Sequence, residues 1–68
     1  MSGQAKLQKT LEMLMWLDTP YGRNISDIVY HFGFSERTAF RYINTFREAG
    51  FVITNLNGYY RIDKERTN

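Results

Sequence analysis

Two arginines four residues apart, Arg37 and Arg41, are the side chains of this chain best suited to recognition chemistry. Thr38, Phe40 and Asn44 stand between and beside them. A guanidinium group can pair in bidentate fashion with guanine, an amide can pair with adenine, and a threonine or phenylalanine can contact the thymine methyl group. This set of residue types therefore favours the reading of base edges in double-stranded DNA.

Two short amphipathic helices joined by a tight turn are predicted to position these side chains. The first begins after Asn24, whose side chain is suited to an N-cap, and ends at Gly33. The second follows the cap residue Ser35 and runs from Glu36 to Ala49, with Gly50 ending it. Helical spacing of apolar residues defines the faces that we expect to be buried. They are Ile25, Ile28, Val29 and Phe32 in the first helix, and Ala39, Ile43 and Phe46 in the second.

This pair of helices has the sequence form of a helix-turn-helix, which places its second helix in the major groove of DNA. With the apolar stripe turned inward on a wheel of about 100° per residue, the two arginines and Asn44 point away from the core. The N-terminal half of such a helix contacts base edges. The predicted base-reading residues are therefore Arg37, Thr38, Phe40, Arg41 and Asn44. The alternative is that Arg37 and Arg41 are ordinary solvated charges on a helix surface.

A second set of polar side chains is predicted to contact the phosphate backbone. The first helix of such a pair crosses the backbone, where hydroxyl groups, arginines and helix N-termini donate to phosphates. The predicted contacts are Ser26, Tyr30, Ser35, Arg47, Tyr59 and Arg61, with Ser35 serving first as a helix cap. His31 is the only His of a chain without Cys, so we predict no metal site.

The N-terminal segment predicts a further helix, from a cap at Ser2 to about Leu17. Leucines at helical spacing are expected on its buried face. They are Leu7, Leu11, Leu14 and Leu17. Met13, Met15 and Trp16 widen the apolar surface beyond one face. Two interpretations are open: Trp16 packs under a C-terminal hairpin, or part of this surface meets a second subunit.

The C-terminal third of the chain changes to the period of strands. Asn57-Gly58 is a strong signal for a hairpin turn, and it lies between the predicted strands Phe51–Asn55 and Tyr59–Ile62. A very short strand is also predicted at Tyr21–Arg23. Phe51, Ile53, Tyr60 and Ile62 are expected to face one side. Three helices followed by a hairpin describe an α+β winged helix, in which the hairpin is the wing. We expect this domain over residues 1–63, and a polar tail or the start of a linker over 64–68.

Composition limits the classes of function. The chain has 68 residues, a net charge of +2, no Cys and 16% aromatic residues, which allows one small domain with a core filled by rings. The longest unbroken apolar run, Met13–Leu17, is too short to cross a bilayer, and no signal peptide is visible. We therefore expect a cytoplasmic protein. No nucleophile–base set and no Gly-rich phosphate loop is visible, so we expect neither enzymatic activity nor a cofactor.

The run SERTAFRYINTFREAGFVI followed by GYYRI resembles the N-terminal winged helix-turn-helix, a DeoR-like domain, of bacterial WYL-domain transcription regulators. In that family a pattern S-x-R-T-V-x-R-x-I-x-x-L-R-x-A-G leads into a hairpin ending G-Y-R-L. The matching residues are Ser35, Arg37, Thr38, Arg41, Ile43, Arg47, Ala49, Gly50, Gly58, Tyr60 and Arg61. The chain departs from the pattern at Val29, Ala39 and Phe46, where changes of size in both directions indicate a repacked core.

The resemblance implies sequence-specific binding of double-stranded DNA in bacterial transcription regulation. It also implies a longer protein, in which a ligand-sensing WYL domain follows the wing, although a stand-alone small regulator remains open. We expect a homodimer for the full-length protein and a monomer or weak dimer for this chain by itself. The rival function is a winged helix that contacts proteins and does not bind DNA. The modest net charge and the apolar excess at Met13, Met15 and Trp16 motivate that rival.

Overall fold

The computed structural model describes residues 2–66, with side chains from residue 5 onward, as a small α+β fold. Its helices are α1 (Ser2–Trp16), α2 (Ile25–Phe32) and α3 (Glu36–Glu48), and its strands are β1 (Arg23–Asn24), β2 (Ile53–Leu56) and β3 (Tyr59–Ile62). The strands form one antiparallel sheet in the order β1-β3-β2. The expected α+β class is confirmed. The predicted cap at Ser2 lies outside the described side chains.

Both ends of α2 and the start of α3 are set by the residues that the sequence predicts, whereas α3 ends at Glu48, one residue earlier than predicted, with Ala49 as its C-cap. The Asn24 side chain accepts a hydrogen bond from the Asp27 backbone N–H at 2.7 Å. Gly33 has a φ of 74°, a left-handed conformation that suits glycine, and its N–H donates to the Val29 carbonyl. The Ser35 hydroxyl accepts from the Thr38 N–H at 3.2 Å and begins α3. Both helices therefore start and stop through local chemistry.

The core lies between the three helices and one face of the sheet. Its buried side chains are Met13 of α1 and Leu17 directly after it, Ile28 and Phe32 of α2, Ala39, Ile43 and Phe46 of α3, and Ile53, Tyr60 and Ile62 of the strands. Phe34, in the turn between α2 and α3, stacks between Phe32 and Tyr42 at centroid distances of 5.3 and 4.9 Å. The predicted inner stripe of α3 is confirmed, and the ring stack joins its middle to the turn.

The buried face of α1 differs from the predicted one. Met13 and Leu17 are fully buried, whereas Leu7 and Leu11 are 60% and 52% exposed. The prediction that the leucines share the buried face is therefore wrong for these two. Full burial also removes Met13 from the surface that a second subunit could meet. The physical reason is that α1 carries apolar residues on two faces, and only one of them faces the core.

Trp16 packs between α2 and β1 instead of under the hairpin. The His31 ring stacks on its indole at a centroid distance of 3.7 Å and an interplanar angle of 14°. The Arg23 guanidinium carbon lies 3.9 Å from the centroid of the same indole, and Arg23 Nε donates to the Trp16 carbonyl at 3.1 Å. These contacts hold the end of α1 against β1 and α2.

The sheet has three strands, where the sequence predicts a two-stranded hairpin. β1 pairs with β3, and it covers Arg23–Asn24 instead of the predicted Tyr21–Arg23. The approach is close at Gly22, where an added Cβ would lie 2.7 Å from the Tyr60 carbonyl oxygen. The hairpin turn at Asn57-Gly58 is confirmed by positive φ values of 55° and 86°. The predicted bounds of β3 are confirmed, whereas β2 begins two residues later than predicted and ends one residue later.

The segment after β3 folds back towards the end of α1. The Lys64 ammonium lies 3.3 Å from the Asp18 carboxylate, and the Ile62 N–H donates to the Leu17 carbonyl at 3.3 Å. Residues 64–66 form a turn, and residues 67 and 68 of the predicted tail lie outside the described residues. Within residues 2–66, no helix has the length and apolar character needed to span a membrane.

Candidate nucleic-acid interface

The outward face of α3 presents two unpaired arginines. Arg37, Arg41 and Asn44 are exposed, on the side opposite the buried stripe. In the part of the chain that the structure describes, the ion pairs are those of Lys64 with Asp18 and of Arg66 with Asp63. The guanidinium groups of Arg37 and Arg41 therefore keep all of their donors for a ligand.

Two further predicted base-reading residues flank this face and have partners within the protein. The Thr38 hydroxyl accepts a hydrogen bond from the Ser35 hydroxyl at 3.1 Å, and Thr38 is partly buried. On the other flank, the Phe40 ring meets the Tyr60 ring edge-on at a centroid distance of 6.3 Å and stays 41% exposed. Phe40 thus helps to hold β3 against α3, while the rest of its ring is free to contact a ligand.

Arg47 joins the end of α3 to the sheet. Its Nε and Nη2 atoms donate to the Ile53 carbonyl at 3.3 and 2.8 Å. The sequence gives no sign of this bond, because the hairpin that accepts it approaches α3 only in the folded chain. The predicted phosphate contact of Arg47 would have to use its remaining donors.

The predicted backbone contacts of α2 lie one turn apart on its exposed side. Ser26 is exposed near the start of the helix, and Tyr30 is 91% exposed. The Tyr30 hydroxyl has no partner within residues 2–66, so it is available to donate. His31 beside it is stacked on Trp16, which gives this residue a packing role.

Tyr59 and Arg61 lie on the sheet face that points away from α3. They alternate along β3 with the buried Tyr60 and Ile62, so the two pairs face opposite sides. Together with Pro20, Tyr21, Thr54, Leu56 and Asn57 they line a shallow hollow of about 400 Å³. The structure brings Tyr59 and Arg61 together with Tyr21, and not with the arginines of α3.

Lys6 is a further candidate for this interface, and it is not among the residues predicted from the sequence. It lines a groove of about 280 Å³ between α1 and α3, together with Thr38, Arg41, Tyr42 and Thr45. None of these described lining residues is a carboxylate. The sequence offers no signal for the contact, since nothing in the order of residues places the start of α1 beside α3.

The following observations concern metal sites and similarity to known proteins. Among residues 2–66 there is no group of three or more His, Cys, Asp or Glu side chains placed to hold a metal ion. Comparison of the chain with protein-family models, curated proteins and solved structures finds no match.

Proposed function

We propose that this chain is a winged helix-turn-helix domain that binds double-stranded DNA sequence-specifically in bacterial transcription regulation. The observation that carries the proposal is the outward face of α3, where Arg37 and Arg41 stand unpaired beside Asn44. Arginine and asparagine are the side chains that pair in bidentate fashion with guanine and adenine. Two cations left without carboxylate partners on an otherwise well-packed helix fit an anionic ligand.

The layout of the fold supports the same function. α2 and α3 are joined by the short turn at Gly33, as in a helix-turn-helix, and a hairpin follows α3. The third strand, β1, extends the sheet on the edge opposite β2, and this layout is compatible with the hairpin of β2 and β3 acting as a wing. The domain would be the DNA-binding part of a larger WYL-type regulator, cytoplasmic and homodimeric, without enzymatic activity or a cofactor.

In this proposal α3 lies in the major groove. Arg37, Arg41 and Asn44 read base edges, and the exposed part of the Phe40 ring meets a thymine methyl group. Thr38, on the flank of the same helix face, also reads a base edge. The backbone contacts come from Ser26, Tyr30 and Ser35 at the starts and outer side of the two helices, and from Arg47, Tyr59 and Arg61.

A charge-matched comparison tests the proposal. The double variant Arg37→Ala/Arg41→Ala and the control Lys64→Ala/Arg66→Ala each remove two positive charges, and the control residues lie in the turn after β3. We expect the wild type to bind random duplex DNA with an affinity that falls steeply between about 50 and 200 mM salt. The α3 variant should lose most of this affinity, and the control should retain it. Equal losses, or no salt-dependent binding by the wild type, would contradict the proposal.

A second candidate function is protein–protein contact without DNA binding. The observation that favours it is the outer face of α1, where Leu7, Leu11 and Met15 are 60%, 52% and 74% exposed. Exposed apolar side chains in a row are typical of surfaces that bind other proteins. Absence of duplex affinity at low salt, in a folded chain that self-associates or binds a partner through α1, would favour this function.

A further inference from the structure

The groove between α1 and α3 has the chemistry of an anion site. Lys6 and Arg41 supply two cationic groups, and Thr38, Tyr42 and Thr45 supply three hydroxyl groups. Its volume of about 280 Å³ exceeds what one phosphate group needs, and it opens to solvent. None of the described residues that line the groove is a carboxylate, so its described lining does not oppose an anionic ligand.

We propose that this α1–α3 groove binds a phosphate group, with the Lys6 ammonium and the Arg41 N–H groups that a base contact leaves free as its charged donors. This inference rests on the proposed function, because the phosphate is taken to belong to the DNA backbone, next to the base pairs that α3 contacts. A free phosphorylated small molecule is the other source of the same chemistry.

Lys6 is the lysine of α1 that is available for this role. Lys9, one turn later, donates to the Phe32 carbonyl at 3.5 Å, and its ammonium lies 5.6 Å from the centroid of the Phe34 ring. The Lys6 ammonium has no acceptor or carboxylate partner within residues 2–66. The ammonium of Lys6 and the guanidinium of Arg41 line the same groove without a carboxylate partner among the described residues, so both are available to an anion.

Two of the three hydroxyl-bearing side chains of the groove, Tyr42 and Thr38, are restrained by contacts within the protein. Tyr42 is stacked on Phe34 at a centroid distance of 4.9 Å, which restricts its ring. The Thr38 hydroxyl accepts from the Ser35 hydroxyl, so its own hydrogen remains to be donated. Such pre-positioned donors need little ordering when an anion binds.

A charge-matched pair of variants separates a local effect from a change of net charge. Lys6→Gln and Lys64→Gln each remove one positive charge, and both lysines are exposed. Lys64 pairs with Asp18, which lies just after the far end of α1, roughly 18 Å along the helix from Lys6 at 1.5 Å per residue. Thermal unfolding of both variants should match the wild type, since neither lysine contributes to the core.

The first measurement is the slope of log affinity against log salt for a random duplex. Loss of one phosphate contact should reduce the magnitude of this slope by about 0.9 in Lys6→Gln and leave it unchanged in Lys64→Gln. Thr45→Val, which keeps the shape and removes one hydroxyl group, should weaken binding several-fold with the slope unchanged. If both lysine variants bind the duplex with the same slope of log affinity against log salt, the phosphate site in the groove is contradicted and the proposed function still stands.

The second measurement uses inorganic phosphate as the probe and amide chemical shifts as the readout. If the wild type does not bind duplex DNA, shifts at Thr38, Tyr42 and Thr45 that saturate with phosphate and vanish in Lys6→Gln would support the groove with a free phosphorylated ligand. The proposed function would then fail by itself. If the wild type shows neither duplex binding nor amide shifts with phosphate, both the proposed function and the phosphate site in the groove are contradicted.

Discussion

α1 and α3 each bury an apolar face in the core, yet their outward surfaces differ in kind. In α3 the buried residues Ala39, Ile43 and Phe46 form one stripe, and the opposite face is polar and cationic. In α1 one apolar stripe is buried, and a second one, Leu7, Leu11 and Met15, faces solvent. Apolar spacing therefore determines which face of α3 is buried. In α1 the spacing is compatible with burial of either apolar face, and the packing of the neighbouring elements determines which one is buried.

The outward faces also suit different ligands. The unpaired arginines of α3 fit an anionic partner, and the exposed leucines and methionine of α1 fit an apolar one. Both faces are available in the same small domain. Substitutions on the two helices test whether this division of roles holds, beginning with those whose effect on the domain is largest.

The largest effect is expected at the buried stripe of α3. Phe46→Ala should lower the free energy of unfolding by about 3–5 kcal/mol, because it removes a buried ring and leaves a cavity. A domain of this size has a total stability of roughly 3–10 kcal/mol, so the variant should be largely unfolded at room temperature. Urea unfolding followed by circular dichroism measures this change.

Phe40→Ala is the matched control on the same helix. It removes the same ring from a side chain that is 41% exposed and touches Tyr60, so it should cost only about 1 kcal/mol. Similar losses of stability in both variants would show that α3 does not have one buried face.

The next effect distinguishes the two apolar faces of α1. Met13→Ala should cost about 2–5 kcal/mol, because Met13 is fully buried. Met15→Ala should change the free energy of unfolding by less than about 0.5 kcal/mol, because this side chain is 74% exposed. The urea midpoints of the two variants measure the difference, and a reversed order would mean that α1 buries its other face.

Local chemistry explains what the sequence predicts well. The caps at Asn24 and Ser35, the left-handed Gly33 and the turn at Asn57-Gly58 each depend on residues within a few positions of one another. Such interactions can be recognised from residue type and spacing, so α2, α3 and the hairpin were predicted with bounds close to the observed ones.

Features that depend on distant parts of the chain were not predicted. A very short strand was predicted at Tyr21–Arg23, but its pairing with β3, with the close approach at Gly22, was not. The hydrogen bonds from Arg47 to Ile53 and the place of Lys6 beside Arg41 likewise arise only when helices and sheet come together. At the candidate interface, the exposed arginines of α3 were therefore predicted, and the lysine that lines a groove together with Arg41 was missed.

On the outward face of α3, Arg41→Ala should weaken specific DNA binding by about 1–3 kcal/mol with the fold intact. Affinities for a selected operator and its single-base variants measure this effect. Relaxed preference at one base position would indicate a base contact, whereas equal weakening for all sequences would indicate a phosphate contact in the α1–α3 groove. Unchanged affinity for every duplex would remove Arg41 from both roles.

The smallest effect is expected on the outward face of α1. Two DNA-binding domains that read half-sites about 34–36 Å apart require a symmetric pair. Of the residues first considered for a subunit contact, Met13 is buried and Trp16 is stacked between Arg23 and His31, which leaves Met15.

Met15 with Leu7 and Leu11 forms a narrow stripe, and stable dimers bury on the order of 1,200 Å² or more in total. We therefore expect the chain to be a monomer or weak dimer at micromolar concentration in sedimentation equilibrium. Leu11→Gln should abolish any association and leave the urea midpoint nearly unchanged, because Leu11 is 52% exposed. A nanomolar dimer that survives this substitution would show that self-association uses another surface, and α1 would lose the apolar role that distinguishes it from α3.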